Sequence, residues 1–121
     1  ETKLQPTNAV DAIIAKIMER RSSTTLVTGG PLTNLAKAVE KEARIKDYVC
    51  EVIIMGGAIT VPGNVTRMAE LNVYCDPEKV FQSGLPITLV PLDVTKCVLT
   101  SFISKMVRYN MRACRRYEMV E

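Results

Sequence analysis

Apolar positions recur along this chain in two rhythms, one helical and one short and unbroken, and their alternation predicts an α/β fold. Val10, Ile13, Ile14, Ile17 and Met18 fall at three- and four-residue intervals and make one helix stripe. Pro6-Thr7-Asn8 announces that helix, with Asn8 and Asp11 spaced as a capping pair. Thr24 to Val27 is a β-branched run that Thr28-Gly29-Gly30-Pro31 breaks. Pro31 suits a first helical position, and Leu32, Leu35, Ala36 and Val39 supply the next stripe. Val49 to Met55 is a second apolar run. It stops at Gly56-Gly57, where a backbone without Cβ atoms can turn sharply or approach a ligand closely. A loop of about twenty residues follows, longer than most connections in compact domains and for that reason a candidate for function. Asp76-Pro77 has the form of an N-cap followed by a proline at the first helical position, and Gly84 reads as the stop of a very short helix. Ile87 to Val90 makes a third strand. A final helix is predicted from about Thr100, with Phe102, Met106, Tyr109, Ala113 and Tyr117 along one side.

Short apolar strands alternating with helices imply a partial, open, mainly parallel sheet with flanking helices, covered on both faces. Three strands are few for such a sheet, so the outer ones are either edges or await further pairing. Residues 1–121 are expected to be a single α/β domain, either the middle portion of a larger one or a reduced form of one. Ligands of open α/β sheets sit outside the carboxyl ends of the strands, which directs attention to the run MGGAITVPGNVTRMAELNVYCDP, Met55 to Pro77.

Composition narrows the chemistry. A hydrophobic content of 47% in 121 residues supports a packed core and argues against disorder. The formal charge is +3, with much of the excess at Lys105, Arg108, Arg112, Arg115 and Arg116; this asymmetry is too weak to imply nucleic acid. There is no histidine, which excludes the usual zinc sites and any histidine acid, base or triad within these residues. Cys50, Cys75, Cys97 and Cys114 form no CxxC pair, and Cys50, beside an apolar strand, is expected in the core. No stretch approaches the roughly 20 apolar residues of a membrane span and no signal-peptide pattern opens the chain, so a cytoplasmic setting without membrane association is expected.

Candidate polar groups gather at strand ends: the Gly29-Gly30 turn, Asn64, Glu70, Asn72 and Asp93. Glu70 and Asn72 are two apart, so an extended segment would point both to one side. A carboxylate beside an amide can hold sugar hydroxyls, which need an acceptor and can use a donor; ordinary loop architecture explains the same residues. GGPLTNLA, Gly29 to Ala36, matches neither phosphate-binding GxxxxGK[ST] nor GxGxxG. Backbone carbonyls at that strand end remain available to a hard cation such as calcium.

TLVTGGPLTNLAKAVE, EVIIMGGAITVPGNVTRMAELNVYCDPE and FQSGLPITLVPLDVT resemble consecutive stretches of the inosine–uridine-preferring nucleoside hydrolases, over about Thr24 to Thr100. The resemblance implies a nucleoside-hydrolase-like fold. It also implies a calcium-dependent N-ribohydrolase that splits purine or pyrimidine ribonucleosides into ribose and base through a base-activated water. By the family pattern, Asn64 and Glu70 would hold the 5′-hydroxyl, Asn72 a secondary ribose hydroxyl, and Met55 would line the ribose pocket. The carbonyl of Gly29 would bind Ca2+. The resemblance admits a homodimer or homotetramer. It assigns no catalytic residue here: the family's DxDxGxDD segment, which carries the metal carboxylates and the catalytic base, is not among these residues, nor is its His-Asp pair. Lys96 stands where a histidine often follows the DLT-like motif. These 121 residues alone are therefore expected not to turn over a nucleoside, and to act in a complete protein or as a truncated, non-catalytic nucleoside-binding or interaction module. Glu70→Ala is expected to weaken nucleoside use while leaving the fold mostly intact.

Overall fold

The computed structural model describes residues 8–21 and 23–97. The final helix expected from Thr100 lies outside them. The elements, in chain order, are α1 (Ala9–Arg20), β1 (Thr24–Thr28), α2 (Thr33–Lys41), α3 (Ile45–Tyr48), β2 (Val49–Met55), α4 (Leu71–Tyr74), α5 (Pro77–Phe81), β3 (Ile87–Val90) and α6 (Leu92–Thr95). The three strands pair in parallel in the order β1-β2-β3. The open parallel α/β architecture is as the hydrophobic pattern implied.

Local signals explain most of the boundaries. The Asn8 side chain accepts the Asp11 N–H at 3.0 Å and closes the first turn of α1. Asp11 also meets the Lys41 ammonium at 2.6 Å, pinning α1 to the end of α2. Gly84 adopts a φ of +78°, which frees the chain to turn from α5 into β3.

The core forms where Ile17 of α1, Leu35 and Ala38 of α2, Ile45 of α3 and Val80 of α5 meet Val52 and Ile54 of β2. Leu26, Ile87 and Leu89 flank the same sheet face. Among the described residues the helices pack against that face. Strands in sequential order with right-handed crossovers place their connecting helices on one side. The row Val27, Ile53 and Thr88 lies on the other, and Val27 is 67% exposed there.

Cys50 is exposed rather than in the core. The pairing jumps from Thr24 opposite Val49 to Thr25 opposite Glu51, so Cys50 has no partner on β1 and is bulged outward while Val49 and Val52 both face inward. Asp76 precedes α5 as expected, but with a φ of +53° and no side-chain cap; its carboxylate instead accepts the Thr33 hydroxyl at 2.7 Å, joining α5 to α2.

Candidate functional site

Parallel pairing brings the carboxyl ends of all three strands to one edge. Thr28 pairs with Ile54 and Met55 with Val90, so Gly29, Gly56-Gly57 and the Pro91–Asp93 turn leave the sheet side by side. Met55, Asn64, Glu70 and Asn72 sit in and beyond this edge; hydrogen bonds join Glu70 to Asn72 and Asn72 to Met55, while Asn64 is tied to the neighbouring Leu71.

Glu70 is 3% exposed and caps α4. One carboxylate oxygen, Oε2, accepts the N–H groups of Gly57 at 2.9 Å, Asn72 at 3.0 Å and Val73 at 3.2 Å. Asn72, 8% exposed, donates its side-chain amide to the Met55 carbonyl at 3.0 Å, with the Met55 sulfur at 3.5 Å. Asn64 accepts the Leu71 N–H at 2.9 Å through Oδ1. Glu70 and Asn72 thus do not lie in an extended segment. They stand at the start of a helical turn, aimed at either end of the Met55–Gly57 backbone. The space for this is made by Gly56, where a Cβ would come within 2.8 Å of both Glu70 Oε2 and Val73 Cγ2.

The loop itself is built from two legs. In the second, the Ala69 carbonyl gathers the N–H groups of Asn64, Val65 and Thr66 at 3.0 to 3.3 Å. In the first, Asp93 of α6 accepts the Ile59 N–H at 2.9 Å, the Thr60 N–H at 2.7 Å and the Thr60 hydroxyl. The Thr60 hydroxyl, then the Ile59 and Thr60 amides, hold the Asp93 carboxyl well below the usual carboxylate range. Lys96 donates to the Pro62 carbonyl at 2.7 Å, so its charge is spent on the same leg. The anchoring roles of Asp93 and Lys96 carried no local sequence signal, since their partners lie more than thirty residues upstream.

Gly29 shares the sheet edge and offers one backbone oxygen, where calcium takes six to eight. Among the described residues no three Asp, Glu, Cys or His side chains come together as a metal site. The carboxylates nearest the edge are committed to backbone amides, Glu70 through Oε2 and Asp93 through both oxygens. The described residues therefore do not by themselves fit a calcium ion. An apolar cleft of 460 Å³ lies beside β3, lined by Ile59, Met68, Tyr74, Phe81 and Leu89, and meets the polar cluster at Glu70.

The family model described as "Inosine-uridine preferring nucleoside hydrolase" matches residues 1–120, further in both directions than the stretches that carry the resemblance. An inosine-uridine preferring nucleoside hydrolase of Leishmania major is 44% identical over 113 residues, covering 89% of this chain and 36% of that protein. The pyrimidine-specific ribonucleoside hydrolase RihA of Shewanella sp. (strain ANA-3) is 44% identical over 94 residues, covering 75% and 29%. Among solved structures, a purine-preferring ribonucleoside hydrolase from Gardnerella vaginalis superposes with a TM-score of 0.78 at 36% identity, covering 88% of this chain and 35% of that one. The chain spans about a third of the length of these relatives.

Proposed function

Because the chain belongs to the inosine-uridine preferring nucleoside hydrolase family, we propose that Met55, Asn64, Glu70 and Asn72 form the ribose-holding side of a ribonucleoside site. In a complete protein that site serves hydrolysis of the N-glycosidic bond to ribose and base. One observation carries this reading: each polar side chain is fixed through one atom and keeps another uncommitted. Among the described residues, Glu70 Oε2 is taken by three amides while Oε1 has no partner. Asn72 is held through Nδ2 and keeps Oδ1, whereas Asn64 is held through Oδ1 and keeps Nδ2. Two acceptors and a donor on pre-oriented side chains suit vicinal hydroxyls, each of which donates one hydrogen bond and accepts others. Side chains locked by backbone contacts lose little freedom when a ligand arrives.

The task of these residues is to bind and orient the sugar. Calcium, if it takes the Gly29 carbonyl, needs carboxylates from beyond the described residues. A second reading, a non-catalytic nucleoside-binding module, is favoured by the commitment of the Glu70 and Asp93 carboxylates to backbone amides. In both readings nucleoside binding maps to the same loop. Titrating the 121-residue chain with uridine or inosine is expected to shift the amide resonances of Gly57, Leu71, Asn72 and Val73 saturably. A dissociation constant of about 1 mM, or about −4 kcal/mol, is the expected scale for a few hydroxyl contacts. Saturable shifts elsewhere, or none at this loop, would remove the site.

A further inference from the structure

The first leg of the loop is held to the β3–α6 corner by a ladder of hydrogen bonds. Gly56 N–H donates to the Val90 carbonyl at 3.1 Å and Leu92 N–H to the Gly57 carbonyl at 2.8 Å. Next along the chain come the contacts of Ile59 and Thr60 with Asp93, and then that of Lys96 with Pro62. Asp93 is the only side chain among the described residues that engages consecutive amides of this leg. Burial cannot replace it, because Ile59 is 71% exposed and contributes little packing. Gly57 lies where the two legs join: its carbonyl accepts from Leu92, and its N–H donates to Glu70.

We propose that Asp93 is a positioning residue for the ribose-holding loop, fixing Ile59 and Thr60 so that the Gly57 peptide presents its N–H to Glu70 and thereby sets the direction of the remaining Glu70 oxygen. This role presupposes the nucleoside site proposed above. The carboxylate is suited to it because Oδ2 takes Ile59 and Oδ1 takes Thr60. An asparagine offers one acceptor oxygen and turns an NH2 group toward the other amide; an alanine offers nothing.

The test uses the 121-residue chain, unmodified and as Asp93→Asn and Asp93→Ala. Backbone amide exchange is followed residue by residue, and uridine affinity is measured by titration. Exchange at Gly57, Ile59 and Thr60 is expected to quicken about tenfold in Asp93→Asn, the loss of one charge-assisted hydrogen bond, and further in Asp93→Ala. The Val52 and Ile54 amides stay unchanged, and uridine affinity falls in the same order. Equal acceleration at Val52 and Ile54 would make Asp93 a general stabiliser and overturn the proposal. So would acceleration confined to Ile59 and Thr60, with Gly57 and uridine affinity unaffected. A lack of response to uridine in the unmodified chain would overturn the nucleoside site, and the Asp93 role with it. A normal response there with unaltered affinity in both variants would overturn the Asp93 role alone.

Discussion

Glu70→Ala is expected to destabilise the chain by about 3 kcal/mol or more, because it orphans several buried amides at once, each worth about 1–3 kcal/mol, with water recovering part of the loss. The amides of Gly57, Asn72 and Val73 converge on Oε2 of a side chain that is only 3% exposed. Removing the carboxylate also uncaps α4 and releases the tie between the β2 turn and the second leg of the loop. Glu70→Gln keeps one acceptor oxygen in place and is expected to recover more than half of the loss, the remainder being the charge assistance. Urea unfolding of the three proteins measures this. An alanine variant within about 1 kcal/mol of the unmodified chain would mean that the three-amide cap does not hold the loop. The hydrogen bonds of Glu70 thus predict a larger effect on the fold than its place in a surface loop suggests, because Oε2 gathers three backbone amides.

Gly63→Ala is expected to be comparably severe for a steric reason. A Cβ at this position would lie 2.1 Å from the Ala69 carbonyl oxygen and 2.5 Å from that of Thr66, both backbone atoms that no side-chain rotation can move aside. Relief requires opening the 63–69 turn, which costs the Gly63 contact with Arg67 and the cluster of amides on the Ala69 carbonyl. At about 1 kcal/mol net for each hydrogen bond, the expected loss is about 2–4 kcal/mol. Gly29 and Gly30 provide the control, since a Cβ at either meets nothing within 4 Å and their alanine variants should unfold with the parent chain. Equal midpoints for Gly63→Ala and Gly29→Ala in thermal unfolding would refute the tight turn.

How far the sequence was legible depended on the range of each interaction. Asn8 with Asp11, the β-branched run of β1, the Gly56-Gly57 break and the Gly84 stop act within a few residues, and each appears where the pattern places it. Cys50 did not follow its pattern, because a bulge is set by pairing with a distant strand and resets the alternation of β2. The short helices α3, α4 and α6 were not foreseen. Each is a single turn whose residues carry no repeating stripe, and Glu70 is an unusual N-cap residue. Asn64, Glu70 and Asn72 stand out in the sequence as polar groups at strand ends, whereas Met55 and the individual ribose roles come only through the family resemblance. The hydrogen bonds of those three polar groups to Met55, Gly57 and Leu71 span up to 17 positions, and spacing alone left the sugar-binding and architectural readings open. The two readings are compatible, since the atoms that build the loop differ from the atoms of the same groups that the proposed site would offer to a ligand.

The most direct test of the central claim is a graft. Thr24 to Cys97 of this chain would replace the matching segment of the Leishmania major relative, to which the chain is 44% identical over 113 residues, and ribose release from uridine and inosine would be measured. If this segment supplies a working ribose-holding side, the graft releases ribose and Glu70→Gln within it raises KM. A folded graft that releases no ribose, or one indifferent to the Glu70 change, would contradict the account.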